Sequence, residues 1–171
     1  LFINGDGVGK PKGILNSSGR RVIDRDTSAT FKFADVVQMA KYAYPGARNL
    51  LWELSLDLYD EVANMTDGSG RLIMIAGDPT RGIPPVLHGR PLNWSPVQPL
   101  KGKEGDAILV DWSFYMIKDG SGPYVRTDPY TRFLEEEIRV AFSFKLDADL
   151  WVKEPLKLKN GMYVSPVVVL K

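Results

Sequence analysis

The side chains able to do covalent or metal chemistry are few. His88 is the single histidine in 171 residues, and there is no cysteine. Thiol catalysis, disulfide frameworks, thiolate zinc sites and iron–sulfur ligation are therefore excluded. A metal centre at His88 would need carboxylates from elsewhere, because no second histidine supplies the usual ligand spacing. A triad using His88 as base would need a Gly-x-Ser-x-Gly elbow, and the chain has none. His88 reads instead as a structural residue beside the turn at Gly89, Arg90 and Pro91. Carboxylate pairs do occur, Asp147 with Asp149 and Asp106 with Asp111. Two carboxylates flanking a bond can hydrolyse a glycoside. Both pairs lie in strand-like contexts, where surface positions are the simpler reading.

Gly5-Asp6-Gly7-Val8-Gly9-Lys10 has the look of a phosphate loop, but the spacing fails. Asn4 precedes Gly5, and Pro11 stands where Ser or Thr should follow the lysine. No helix pattern begins there, so a dinucleotide fingerprint fails too. A tight Gly-rich connection remains. Asn16, Asn64 and Asn93 match the glycosylation sequon, read here as chance matches without a secretion signal. Trp52, Trp94, Trp112 and Trp151 could build a carbohydrate-binding face, but each sits among apolar strand residues, which favours core or interface packing. No catalytic, cofactor-binding or metal residue is assigned, and no cofactor is implied.

The elements that would position any site belong to a mixed α+β chain. Its length suits one domain with a real core and a projecting sub-element. Lys plus Arg number 22 against 21 Asp plus Glu, and 44% of residues are hydrophobic. A net charge of +1 cannot neutralise a row of phosphates, so duplex nucleic-acid binding as the main task is excluded. No apolar run approaches the roughly 20 residues that span a bilayer, and no membrane partner is expected. The Leu1 start reads as mid-domain sequence, hence as a fragment of a longer chain.

Periodicity predicts a helix over residues 34–44 with Val36, Val37, Ala40, Ala43 and Tyr44 on one face, stopped by Pro45-Gly46. A buried strand over 50–54 follows, then a helix from the cap Ser55 to about Met65, striped by Leu58, Tyr59, Val62 and Ala63. Further strands are predicted at 21–23, 72–76, 86–87, 92–94, 106–110 and 113–118. Asp119-Gly120-Ser121-Gly122 reads as a turn. From Ile138 the chain alternates through Val140, Phe142, Phe144, Leu146, Ala148 and Leu150, which predicts one buried and one wet face. At ~3.3 Å per residue this run would extend about 40 Å, against typical strands of about 5–6 residues. Such a length suits a hairpin arm projecting from the domain. The preceding Glu135-Glu136-Glu137 reads as solvated.

The order of these motifs resembles the major capsid proteins of tailed bacteriophages and prophages. Residues 4–15, from Asn4-Gly5-Asp6 to Gly13-Ile14-Leu15, are similar to that family's signature stretch. Trp52, Leu58 and Asp67-Gly68-Ser69-Gly70 resemble its next strand, helix and turn. Leu87-His88-Gly89-Arg90-Pro91-Leu92 resembles its "LLGRPV" strand. Pro99-Leu100-Lys101-Gly102 and residues 105–115 resemble its "P-x-x-G…GDIILGDFSxY" block. The run 133–145, Asp147 to Leu150, Pro155 and residues 165–170 resemble the close of the family.

The resemblance implies the Hong Kong-type capsid fold: an axial domain over 1–122, a long β-hairpin of the peripheral domain over 123–160, and a final strand over 161–171. It implies that the N-terminal arm, extended loop and spine helix are missing. The implied role is structural, a subunit assembling with copies of itself into hexamers and pentamers that enclose a genome, with DNA met only non-specifically. Implied further partners are scaffold, protease and portal proteins. The implied location is the virion capsid, and the host bacterial cytoplasm during assembly. The Gly77 to Pro85 stretch is expected near the capsomer axis. The family's isopeptide cross-link would need Asn and Glu where this chain has Glu136 and Ser143, which implies no cross-link of that kind. A carbohydrate-binding module and a carboxylate-dependent hydrolase are the alternatives.

Overall fold

The computed structural model describes residues 2–78 and 80–171, with Phe133 described by its backbone alone. Leu1 and Pro79, the latter inside the stretch expected near the capsomer axis, lie outside the described residues. Along the chain the strands are β1 (Arg21–Ile23), β2 (Leu51–Ser55), β3 (Met74–Ile75), β4 (Val86–Leu87), β5 (Arg90–Ser95), β6 (Ala107–Val110), β7 (Tyr115–Asp128), β8 (Arg139–Leu150), β9 (Leu156–Lys157), β10 (Tyr163–Val164) and β11 (Val167–Leu170). The helices are α1 (Phe33–Tyr42) and α2 (Tyr59–Ala63). Seven strands form one mixed sheet in the order β1-β11-β6-β2-β5-β4-β3. β7 pairs with β8, and β9 with β10, as separate antiparallel ribbons.

The sheet is built around its apolar runs. β6 (Ala-Ile-Leu-Val) and β11 (Val-Val-Val-Leu) are buried at every position, because side chains on both faces meet apolar layers. On one face Trp52, Leu54, Leu109, Val168 and Leu170 pack against Val36 and Met39 of α1 and Leu58 and Val62 of the α2 segment. On the other, Ile108, Val110, Val167 and Val169 pack against Ile14, Leu15, Tyr115, Ala148 and Leu150. The second layer is therefore the Gly-rich N-terminal stretch and the root of the long hairpin.

α1 forms near the expected place, but its inward stripe is Val36, Met39 and Ala43, while Val37 is exposed. Asp35 holds its first turn, accepting from Lys32 N and Asp26 N at 2.9 Å each. The second predicted helix is shorter than expected. Leu56–Leu58 is a 3-10 turn, only Tyr59–Ala63 is α-helical, and the Ser55 side chain makes no cap bond. The strand expected over 72–76 forms a ladder at Met74–Ile75, and Leu72 makes a single bridge to Thr66.

Two corrections concern the hairpin. Residues 119–122 are no turn, because β7 runs through them. The ladder passes from Asp119–Leu146 to Ser121–Lys145 to Tyr124–Ser143, leaving extra residues on β7 at two register shifts. The glycines that suggest a turn serve as bulge positions instead. The second correction is burial: over residues 139–145 both faces of β8 are exposed. Alternation fixes which side chains share a face, not what covers that face.

Candidate assembly surface

The hairpin is held at its root and bare toward its tip. At the root Tyr115, Ala148 and Leu150 are buried in the second core layer. The Tyr115 hydroxyl donates to Lys12 O at 2.8 Å, and Lys12 N donates to Ala148 O at 2.9 Å. Phe2 and Trp112 each meet the Tyr115 ring edge-on, at 5.8 and 5.7 Å. Ser17 Oγ donates to Asp149 Oδ1 at 3.0 Å, and Lys153 pairs with the other oxygen at 2.5 Å. The Gly-rich stretch thus acts as a clamp for the hairpin.

Farther out, Val140, Phe142 and Phe144 share one face of β8, with Ile138 just before it. Their exposures are 48%, 72%, 65% and 65% respectively. Val125 stands opposite Phe142 in the ladder and is exposed too. The opposite face carries Arg139, Ser143, Lys145 and Asp147, with Asp128, Tyr124 and Lys118 across from them or beside them. At the tip Asp128 accepts from Tyr130 N at 2.9 Å, and Arg132 pairs with Glu135 and Glu137 at 3.1 and 2.8 Å. Glu135, Glu136 and Glu137 are exposed, as their charge leads one to expect. Contiguous exposed apolar faces of this kind are the class of surface that marks interaction sites.

The residues weighed for chemistry sit apart from one another. His88 and Gly89, at φ 48° and 76°, form the two-residue connection between β4 and β5, and His88 meets Phe33 edge-on at 6.2 Å. Positive φ at both positions is what a tight hairpin turn demands. Asp106 and Asp111 flank opposite ends of β6 and are no pair. Asp106 meets Arg25 in a buried ion pair and accepts from Gly102 N at 2.8 Å. Asp111 accepts from Asn49 N, Ser113 N and Ser113 Oγ at 3.1, 3.0 and 2.6 Å. Asp147 and Asp149 line an open hollow of about 380 Å³ with Met116, Lys118, Trp151 and Lys153. Asp149 is committed to Ser17 and Lys153. Gly7 and Gly9 have φ of 81° and 65°, and Asp6 accepts from Val8 N at 3.0 Å, a closed loop followed by a 3-10 turn.

The tryptophans do not form a platform. Trp52 is fully buried, its indole donating to Leu87 O at 3.0 Å. Trp94 packs on Tyr59 at 5.1 Å, tilted by 53°. Trp151 departs from the packed reading: it lies just beyond β8 and is 64% exposed. The sequon residues Asn16, Asn64 and Asn93 donate to Gly5 O, Asp60 O and Glu53 Oε2 at 2.8 to 2.9 Å. Among the described residues no cluster of His, Asp and Glu suits a metal ion. Among the described residues no helix is long and apolar enough to cross a membrane.

Sequence reading missed the Arg25–Asp106 pair and the buried carboxyl of Glu53. Neither carries a local signal, since their partners lie 81 and 40 residues away.

The model of the phage capsid family matches residues 1–161. Two solved structures share the fold: the capsid of an empty GTA particle, 20% identical with a TM-score of 0.71, and the capsid of the native GTA particle, 19% identical with a TM-score of 0.72. Each alignment covers 99% of this chain, and 59% and 58% of the respective capsid chain. The chain therefore spans somewhat over half the length of these relatives. Among curated proteins none matches. A mixed α+β domain with a seven-stranded sheet and a long clamped hairpin, matched by capsid chains over nearly its whole length, is a member of the phage capsid family.

Proposed function

We propose that this chain is the structural subunit of an icosahedral tailed-phage or prophage shell, working through surfaces rather than through a reaction. The observation that carries this reading is the bare face at Ile138, Val140, Phe142 and Phe144 on a firmly clamped hairpin. In water such a face is a liability, while in a shell it is a contact. Residues 1–122 then form the axial domain, 123–160 the peripheral hairpin, and 161–171 the returning strand. The hairpin ladder crosses the first boundary, since β7 starts at Tyr115.

The partners are copies of the chain in hexamers and pentamers. Head-to-tail contacts between copies of one domain generate rings when the rotation closes. Near-neutral charge lets copies meet without strong repulsion. Scaffold, protease and portal proteins are further partners in this reading, and assembly takes place in the host cytoplasm. DNA is enclosed without specific recognition. Glu136 offers no amide at the family's Asn position and Ser143 no carboxylate at its Glu position, so the shell is held without that bond. Denaturing gels of mature particles should show single subunits, and a covalent ladder would contradict this.

Electron microscopy of the full-length protein tests the main reading. Shells or capsomer-sized rings are expected, and persistent monomers would refute it. Phe142→Asp with Phe144→Asp should abolish those assemblies while leaving the circular dichroism of the domain unchanged.

A further inference from the structure

Glu53 is the middle residue of β2 and points to the hairpin side of the sheet. It lies between Asn93 of β5 and Ile108 of β6. It is 8% exposed. Oε2 accepts from Asn93 Nδ2 at 2.9 Å, and Oε1 faces the Trp112 indole N–H at 3.4 Å. β5 offers Asn93, β6 offers Ile108, the 3-10 turn Trp112–Phe114 offers Trp112, and on β2 its same-face neighbours are Leu51 and Ser55. Asp111, beside that turn, spends its carboxylate on Asn49 and Ser113. Among the described residues no charged side chain acts on Glu53. A buried carboxylate without a cation is costly in its charged form.

The two partners differ in what they can do. An indole N–H only donates, whereas an amide carries both donors and an acceptor. Asn93 can therefore serve either form of Glu53 by turning end for end, and Trp112 can serve only an oxygen without a proton. We propose that Glu53 is a proton-binding switch at the root of the hairpin: as carboxylate it is held by the Asn93 amide N–H and the Trp112 indole, and as neutral acid it donates Oε2–H to the Asn93 carbonyl while Oε1 keeps the indole. The proton comes from water, and no other bond changes. Asn93 is exposed, so its reversal converts a surface hydrogen-bond acceptor into a donor. Trp112 meets Tyr115, the first residue of β7, so the switch sits one side chain away from the hairpin.

Burial pushes the Glu53 carboxyl above the ordinary glutamate range, against the pull of its two donors. Because the folded value lies above the unfolded one, the stability this group contributes is full below the unfolded pKa. It is lost as pH rises through the folded pKa.

The experiment is a carbon-13 NMR titration of the side-chain carboxyls in the 171-residue chain. Glu53 is assigned through bonds in the wild type and checked by the missing signal in Glu53→Gln. Its midpoint is expected above the ordinary glutamate value of about 4.3. The Asn93 side-chain amide should shift at the same midpoint. Trp112→Phe removes a donor to the charged form and should raise the midpoint further. A Glu53 midpoint at or below the ordinary value, or an Asn93 amide indifferent to it, overturns the proposal. Through-bond assignment needs no variant, so a Glu53→Gln chain that fails to fold leaves the measurement intact.

Discussion

Arg25 and Asp106 meet with only 4% and 0% of their side chains exposed. Arg25 also donates to Thr30 O, and Asp106 accepts from Gly102 N, so the pair ties the end of β1 to the loops on either side of it. Burial pushes the Asp106 carboxyl up despite the adjacent guanidinium. Breaking such a pair from one side strands a charge, which costs about 3–5 kcal/mol. Arg25→Leu should lower the unfolding free energy by that order in urea titration. Tyr115 offers a second test at this scale. Burial first, then the charges of Asp149 and Asp147, push its hydroxyl up to about 12. Its contribution to stability is complete below the ordinary tyrosine pKa near 10 and is lost as pH rises through about 12. Ultraviolet titration should show a late-ionising phase that Tyr115→Phe removes.

Elements hold together here through backbone packed on backbone. A Cβ on Gly13 would stand 2.3 Å from Ile3 O and 2.6 Å from Gly5 N, main-chain atoms with no rotamer to yield. Gly13→Ala should cost at least about 1–3 kcal/mol, the range for overpacking, read as a lowered thermal midpoint. The β7–β8 ribbon behaves oppositely. Phe142→Asp and Phe144→Asp remove exposed side chains and should move domain stability by less than about 0.5 kcal/mol. They should also reduce self-association of the chain in sedimentation.

The same contrast explains what could be read in advance. β6 and β11 are continuous apolar runs, and α1 shows a helical period before Pro45-Gly46, so local pattern sufficed for them. Asp119-Gly120-Ser121-Gly122 has turn chemistry, but the long-range ladder with β8 overrides it. The alternation at 138–150 marks a shared face and carries no information about its cover. The depth of Glu53 in Leu-Trp-Glu-Leu-Ser comes from neighbours on β5 and the turn after β6, which no local pattern reveals. The bare hairpin face, which carries the functional reading, was legible as a pattern and illegible as a surface.

At the scale of the molecule, one sheet carries two unlike layers: helices on one side, a Gly-rich clamp and hairpin root on the other. Leu109 and Ile108 are neighbours on β6 but belong to different layers. Leu109→Ala should cost about 2–5 kcal/mol, as buried leucines do, and loosen the helical layer first. Amide exchange in that variant should accelerate in α1 before the hairpin root. β11 lies between β1 and β6, pairing Arg21 with Val168 and Val110 with Val167. Translation must therefore reach the last strand before β1 can join any sheet at all. Contacts so distant in sequence fold slowly. A chain that stops short of β11 leaves β1 and one edge of β6 without their ladder partners, and leaves the hairpin root without the Val167 and Val169 half of its support.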